Sequence, residues 1–238
     1  MKSKVPVVIV GGGPVGLSMA ILLQRFGIDF VLLERNLTTT DHPKARGTYT
    51  RTMEIFRQWG IDGLMRRHGL PDGSDFFTFC DSMTGHEWGR TQPEPNAGHS
   101  PCWKVIQSQD TVEEELLTHA RKSQVGRILF GYEFLHFDEG TDGITVTARD
   151  TRTGESLSWQ AEYLIASDGA TSSVRRQAGI EMRGPATLAV MANEYWQADL
   201  SQVRDADLCA GWRIQGKDSP YPTCTVLNTN GWDKWLTL

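Results

Sequence analysis

The residues Gly11-Gly12-Gly13-Pro14-Val15-Gly16 and, further on, Glu34 are of the types and spacing that bind a dinucleotide. The glycines follow the apolar run Val5 to Val10 and precede the helix-patterned Leu17 to Phe26, so a strand runs into a tight turn and then a helix. Gly11 suits the turn, the missing side chain of Gly13 lets a pyrophosphate approach the main chain, and Gly16 lets the helix pack closely. The first N–H groups of that helix and its dipole then face the phosphates. Glu34 ends a second apolar strand, Ile28 to Leu33, roughly 20 residues after the glycines, where a carboxylate accepts hydrogen bonds from an adenosine ribose diol. A plain β-turn-α connection would leave the carboxylate's position to chance.

The elements that must place these residues can be read along the chain. After the opening β-α-β unit comes a turn-rich stretch, Arg35 to Arg46, then a helix around Thr52 to Trp59 with Met53, Phe56 and Trp59 on one face and Gly60 at its end. Short strands are expected at Phe76 to Phe79 and His86 to Arg90, a loop at Thr91 to Pro101, a strand at Trp103 to Ile106 and a helix from about Asp110 to Lys122. Glu113 to Glu115 in the first turn of that helix suit its dipole. Arg127 to Phe130, Glu133 to Asp138, Ile144 to Asp150 and Leu157 to Gln160 alternate as strands. Tyr163 to Ala166, the most apolar strand of this half, delivers a second strand-turn-helix at Asp168-Gly169-Ala170-Thr171-Ser172-Ser173. Beyond Gly179, the stretches Leu188 to Leu200, Leu208 to Ile214, Thr223 to Leu227 and Trp232 to Leu238 read as a mainly antiparallel sheet rich in Trp. The expected fold is α/β, a Rossmann-like domain from residues 1–75 and 102–181 beside a partial antiparallel sheet domain from residues 76–101 and 182–238.

Composition narrows the function classes. The 238 residues suffice to bury a core, and a net charge of -5 with interspersed signs argues against nucleic acid or an anionic membrane surface as the partner. The apolar stretch near the start is a buried strand rather than a signal or span. Cys80, Cys102, Cys209 and Cys224 are scattered and the six His lack ligand spacing, so no metal is expected and a reducing cytoplasm is the default.

The glycine fingerprint, Glu34, and Asp168-Gly169-Ala170-Thr171-Ser172-Ser173-Val174-Arg175 together resemble the single-component FAD-dependent aromatic hydroxylases, the family of para-hydroxybenzoate hydroxylase and phenol hydroxylase. Pro43-Lys44-Ala45-Arg46 with Arg51-Thr52-Met53-Glu54, and Gln109 with Leu116, are further matches. The resemblance implies that Gly11, Gly13, Pro14, Val15 and Gly16 hold the FAD pyrophosphate and Glu34 the ribose. Arg35, Lys44, Ala45, Arg46 and Gln109 would line the rest of the cofactor path, and Asp168 would serve both FAD and the passing NAD(P)H. Two bland readings stay open: Asp168 as a helix cap and Arg51 as a solvated helix residue. The implied reaction is hydroxylation of a phenolic or polycyclic aromatic ring through a flavin C4a-hydroperoxide, with O2 and NAD(P)H as co-substrates. The cofactor then carries the hard chemistry, and no catalytic residue is singled out. Tyr195, Trp212 and Tyr221 are candidates for the substrate pocket, against the alternative that they are sheet core.

The sequence departs from the family in one respect. No Gly-Asp segment follows Trp212, and the last residues read as a strand of the substrate sheet, so an open sheet edge is expected, along with a second polypeptide or missing portion that completes the enzyme. A halogenase or isoprenoid reductase is a related alternative, the former disfavoured by the lack of a W-x-W-x-I-P motif. A catalytically silent flavin-binding subunit is the other.

Overall fold

A computed structural model describes residues 3–92, 98–185, 187–203, 205, 206, 208–216 and 224–238. In chain order the elements are β1 (Ser3–Val10), α1 (Pro14–Arg25), β2 (Phe30–Glu34), β3 (Arg46–Thr48), α2 (Thr50–Trp59), α3 (Asp62–Arg67), β4 (Phe77–Cys80), β5 (Glu87–Arg90), β6 (Val105–Ser108) and α4 (Gln109–Ala120). They continue with β7 (Arg127–Phe130), β8 (Tyr132–Gly140), β9 (Gly143–Asp150), β10 (Ser156–Ala166), α5 (Ser173–Gln177), β11 (Glu194–Gln197), β12 (Gly211–Ile214), β13 (Cys224–Asn228) and β14 (Lys234–Thr237).

Two compact units form, Met1–Thr40 with Glu113–Ala186 and Asp41–Val112 with Thr187–Leu238. These bounds differ from the sequence-based division: residues 41–75 and 102–112 group with the second unit, where β3 pairs with β6 and α3 packs on β6.

The first unit is a six-stranded sheet in the order β7-β2-β1-β10-β9-β8. β7, β2, β1 and β10 run parallel, and β9 and β8 add an antiparallel hairpin. Phe30, Val31, Leu32 and Leu33 of β2 are all buried, as a parallel strand covered on both faces requires. Gly16, Leu17, Ala20 and Ile21 form the buried stripe of α1. The stretches Leu157 to Gln160 and Tyr163 to Ala166, expected as separate strands, are one continuous strand. β10 pairs with β9 from Ser156 to Ala161 and with β1 from Trp159 to Ala166, and Ala161-Glu162 keeps the alternation unbroken between them. Contrary to its apolar reading, the second part is open, with Tyr163 65% exposed.

The second unit holds a six-stranded sheet, β11-β14-β13-β12-β4-β5, antiparallel except where β12 meets β4, and the two-stranded β3-β6 ribbon. The last strand is interior to the sheet, β14 being paired with β13 on one side and β11 on the other, and the sheet's edges are β11 and β5. Of the long alternation Leu188 to Leu200, only β11 is strand. Trp212 and Trp235 anchor the core at a centroid distance of 5.7 Å, and the buried indole N–H of Trp235 donates to the Ala198 carbonyl at 2.9 Å. Met53, Phe56 and Trp59 are the buried face of α2, which ends at Gly60 in the left-handed region. α3 escapes the sequence reading because it has six residues with one buried, too few to show a period. No helix among the described residues is long and apolar enough to cross a membrane.

Candidate functional site

In the first unit the glycines are fixed by sterics. Gly11 has φ +105°, and a Cβ there would lie 2.3 Å from the Ser167 carbonyl oxygen. At Gly16 a Cβ would lie 1.9 Å from the Gly11 carbonyl oxygen, so the helix can sit on its own turn only without a side chain. Gly13 is different: a Cβ there would find open space apart from Glu113 Oε1 at 3.9 Å. Gly13 is also the N-cap of α1 and no side chain caps the helix; Pro14 takes the first turn and Val15 is exposed. The leading N–H groups are thus left for an anion.

Glu34 closes the loop from the side. Its Oε2 accepts from the Gly12 N–H at 2.7 Å and its Oε1 from the Asn36 N–H at 2.8 Å. The carboxylate expected to face a ribose is therefore also a clamp on the glycine turn, and each oxygen keeps a further lone pair for a hydroxyl donor. Arg35, beside it, is exposed.

Asp168 follows β10 and is held by α5. Its Oδ2 accepts from the Ser173 N–H at 2.7 Å and the Val174 N–H at 3.2 Å, while the Ser172 hydroxyl donates to Oδ1 at 2.6 Å and accepts from the Arg175 N–H at 2.9 Å. These bonds are a helix cap; Arg175 reaches instead toward the Ile180 carbonyl at 3.4 Å. Asp168→Ala should lower stability by about 1 kcal/mol and Asp168→Asn by much less, as read by thermal unfolding. Equal losses would show that charge, and not capping, holds the aspartate.

Sequence reasoning assigns Glu113 only a dipole role. In the structure it is 4% exposed and its Oε2 accepts from the Thr40 N–H at 3.0 Å, which ties α4 to the chain after β2. An acidic first turn discloses a dipole preference but not which acid is buried.

In the second unit, Arg46 opposite Ser108 sets the β3-β6 register, and the Gln109 N–H donates to the Ala45 carbonyl at 2.9 Å. Lys44 and Ala45 are exposed. Arg46 Nε, Gln107 Oε1 and Asp110 Oδ1 are buried with no partner, polar atoms that call for a ligand or water. Burial pulls the Arg46 guanidinium down to about 10, which leaves it a cation at neutral pH. Arg46 also borders a cavity of about 840 Å3 with Tyr49, Phe77, Ile106, Arg213 and Leu227. The Phe77 ring carries the Arg213 guanidinium at 5.3 Å and that of Arg46 at 6.0 Å.

The aromatic candidates part company. Tyr195, on β11, is half-buried with its ring 5.8 Å from that of His42. Trp212 is 2% exposed in the sheet core with its ring beside that of Trp235, and it also borders a separate cavity of about 250 Å3. Neither borders the 840 Å3 cavity. Tyr221 lies outside the described residues. Arg51 is exposed and pairs with Glu54 at 2.8 Å, the solvated reading. All four cysteines are free thiols, and burial pushes that of Cys209 up to about 12. Among the described residues no group of three or more His, Cys, Asp or Glu could hold a metal.

Residues 4–230 match the family described as FAD binding domain. The chain belongs to that family. A putative polyketide hydroxylase of Streptomyces coelicolor is 40% identical over 192 residues, covering 78% of this chain and 30% of the relative. Aklavinone 12-hydroxylase of Streptomyces peucetius is 35% identical, covering 85% of this chain and 43% of the relative. The solved flavin-dependent monooxygenase PieE in complex with FAD and substrate superposes with a TM-score of 0.91 at 30% identity, over 98% of this chain and 42% of that one. The chain thus spans less than half the length of these relatives. Within the FAD-binding family the uncapped α1 and the glycine cradle fit the phosphates of a flavin dinucleotide.

Proposed function

We propose that this chain provides the dinucleotide-binding end and part of the aromatic cavity of an FAD-dependent, NAD(P)H-using monooxygenase that hydroxylates a phenolic or polycyclic aromatic ring. The carrying observation is the helix N-terminus left uncapped over a glycine turn that cannot accept a Cβ, with Glu34 clamped beside it. Bound FAD would supply the redox step, taking electrons from NAD(P)H and activating O2.

The chain's own groups bind and orient. Gly11, Gly13, Pro14, Val15 and Gly16 present backbone to the pyrophosphate, and Glu34 accepts from the ribose hydroxyls with Arg35 alongside. Lys44, Ala45, Arg46 and Gln109 are the residues we assign to the remainder of the cofactor, and Asp168 to its passage near NAD(P)H. The 840 Å3 cavity exceeds several-fold the roughly 150 Å3 that holds a benzene ring, so it has room for an aromatic guest. Phe77, Ile106 and Leu227 give it apolar wall, and Arg213, paired with no acid among the described residues, would favour a guest with a phenolate or other anionic edge. Tyr195 remains a candidate substrate neighbour. The relatives are more than twice as long, and we take oxygen transfer to need the corresponding remainder, in the same polypeptide or a second one. Four free thiols fit a reducing cytoplasm.

Glu34→Ala should weaken FAD binding by about 1 to 3 kcal/mol through loss of charge-assisted hydrogen bonds. Fluorescence titration of flavin against wild type and variant checks this, and equal affinities would refute the ribose assignment. Substrate-stimulated NAD(P)H consumption separates the enzyme from a silent flavin-binding subunit, which would hold FAD and show no stimulation by any phenol.

A further inference from the structure

Glu113 is a buried carboxylate beside the glycine turn. It sits on α4, and its Oε2 accepts from the Thr40 N–H at 3.0 Å. Its other oxygen, Oε1, lies 3.9 Å from the point where a side chain on Gly13 would begin. A Cβ on Gly12 would in turn meet the Glu34 side chain at 2.7 Å. The charged side chains found at these two glycines are thus both acids.

Such a lining is unusual for an anion seat. A helix N-terminus favours negative charge, and the loops that hold terminal phosphates add a lysine to offset it. At Gly13, by contrast, the Glu113 carboxylate opposes the dipole of α1, whose N-cap that glycine is. Burial preserves the opposition, because the effective dielectric constant near a protein group is about 20 rather than about 80. The carboxylate is also fixed, since moving away from an arriving anion would break its bond to the Thr40 N–H.

The repulsion scales with the charge that arrives. A dinucleotide carries about one charge on each bridging phosphate, whereas a mononucleotide diphosphate ends in a free phosphate that alone holds roughly 1.5 to 2. We infer that Glu113 is a specificity residue of the dinucleotide seat, disfavouring a terminal phosphate and so favouring a diphosphate esterified at both ends. The inference rests on the reading of the glycine turn as that seat. Selection of this kind works by placing a like charge against the wrong ligand rather than by adding a contact to the right one.

ADP and its β-methyl ester make the test direct, because they differ by one methyl group and one charge. With only backbone N–H groups and a helix N-terminus to hold them, the more highly charged ADP would bind tighter. With Glu113 opposing that charge, isothermal titration of the wild-type chain should give the ester the lower Kd, by about three-fold. Glu113→Gln keeps an oxygen that accepts from the Thr40 N–H and loses the charge. It should raise ADP affinity roughly ten-fold, abolish the preference for the ester, and leave affinity for adenosine within about two-fold of wild type. An unchanged melting temperature confirms that the variant is folded; if it does not fold, the wild-type comparison of ADP with its ester decides alone. Tighter binding of ADP than of the ester by wild-type protein would overturn the inference and leave the seat standing. An equal gain for adenosine and ADP in Glu113→Gln would do the same. If wild-type protein binds neither FAD, ADP nor the ester, the dinucleotide seat itself is refuted and the role of Glu113 falls with it.

Discussion

Gly11→Ala is expected to abolish FAD binding and to lower stability by about 3 kcal/mol or more. The backbone there is at φ +105°, and the added methyl would meet three backbone atoms at once: the Ser167 oxygen at 2.3 Å, the Ser167 carbonyl carbon at 2.5 Å and the Asp168 nitrogen at 2.8 Å. None is the end of a flexible side chain. Relief therefore requires the ends of β1 and β10 to separate, although the Ser167 N–H to Val10 carbonyl bond at 2.7 Å holds them together. Gly27→Ala is the control, since φ is +68° but no atom lies within 4 Å of the new methyl; it should cost about 1 to 2 kcal/mol from conformation alone. Thermal unfolding of the two variants side by side reads the difference. A Gly11→Ala protein no less stable than Gly27→Ala would mean that the turn is not under the steric constraint described.

Trp212→Ala should cost about 3 to 5 kcal/mol of stability with or without FAD and with or without an aromatic ligand. The ring is buried at 2% exposure, stacks on Trp235, and its strand β12 is the junction at which β13 and β4 meet. Denaturant unfolding of the ligand-free protein measures this. A variant of nearly wild-type stability that binds an aromatic ligand such as 2-naphthol poorly would instead give Trp212 a substrate role.

The two residues show where sequence is legible and where it is not. The steric demands at Gly11 and Gly16 are local: a strand, a turn and a helix within a few residues define the geometry, so residue type alone discloses it. Glu34 is legible by position, at the tip of β2, but its bonds to the Gly12 and Asn36 N–H groups depend on how the loop folds back. For Asp168 both readings are available, and the capping bonds to Ser172, Ser173 and Val174 follow from local spacing. Trp212 cannot be placed from sequence, because alternation tells that a strand has two faces but not which of them meets another Trp across the sheet. The same limit hides the placement of β14 between β11 and β13, a non-local pairing with no local signature. The role of Glu113 is invisible for a further reason: its burial is set by residues far apart in the chain.

Equilibrium titration of the purified protein with FAD, followed by competition with ADP, bears most directly on the glycine-and-Glu34 grip. We expect one FAD per chain, displaced by ADP because the contacts fall on the adenosine diphosphate half, and no binding to Gly11→Ala. Absence of saturable FAD binding, or FAD that excess ADP leaves in place, would contradict it.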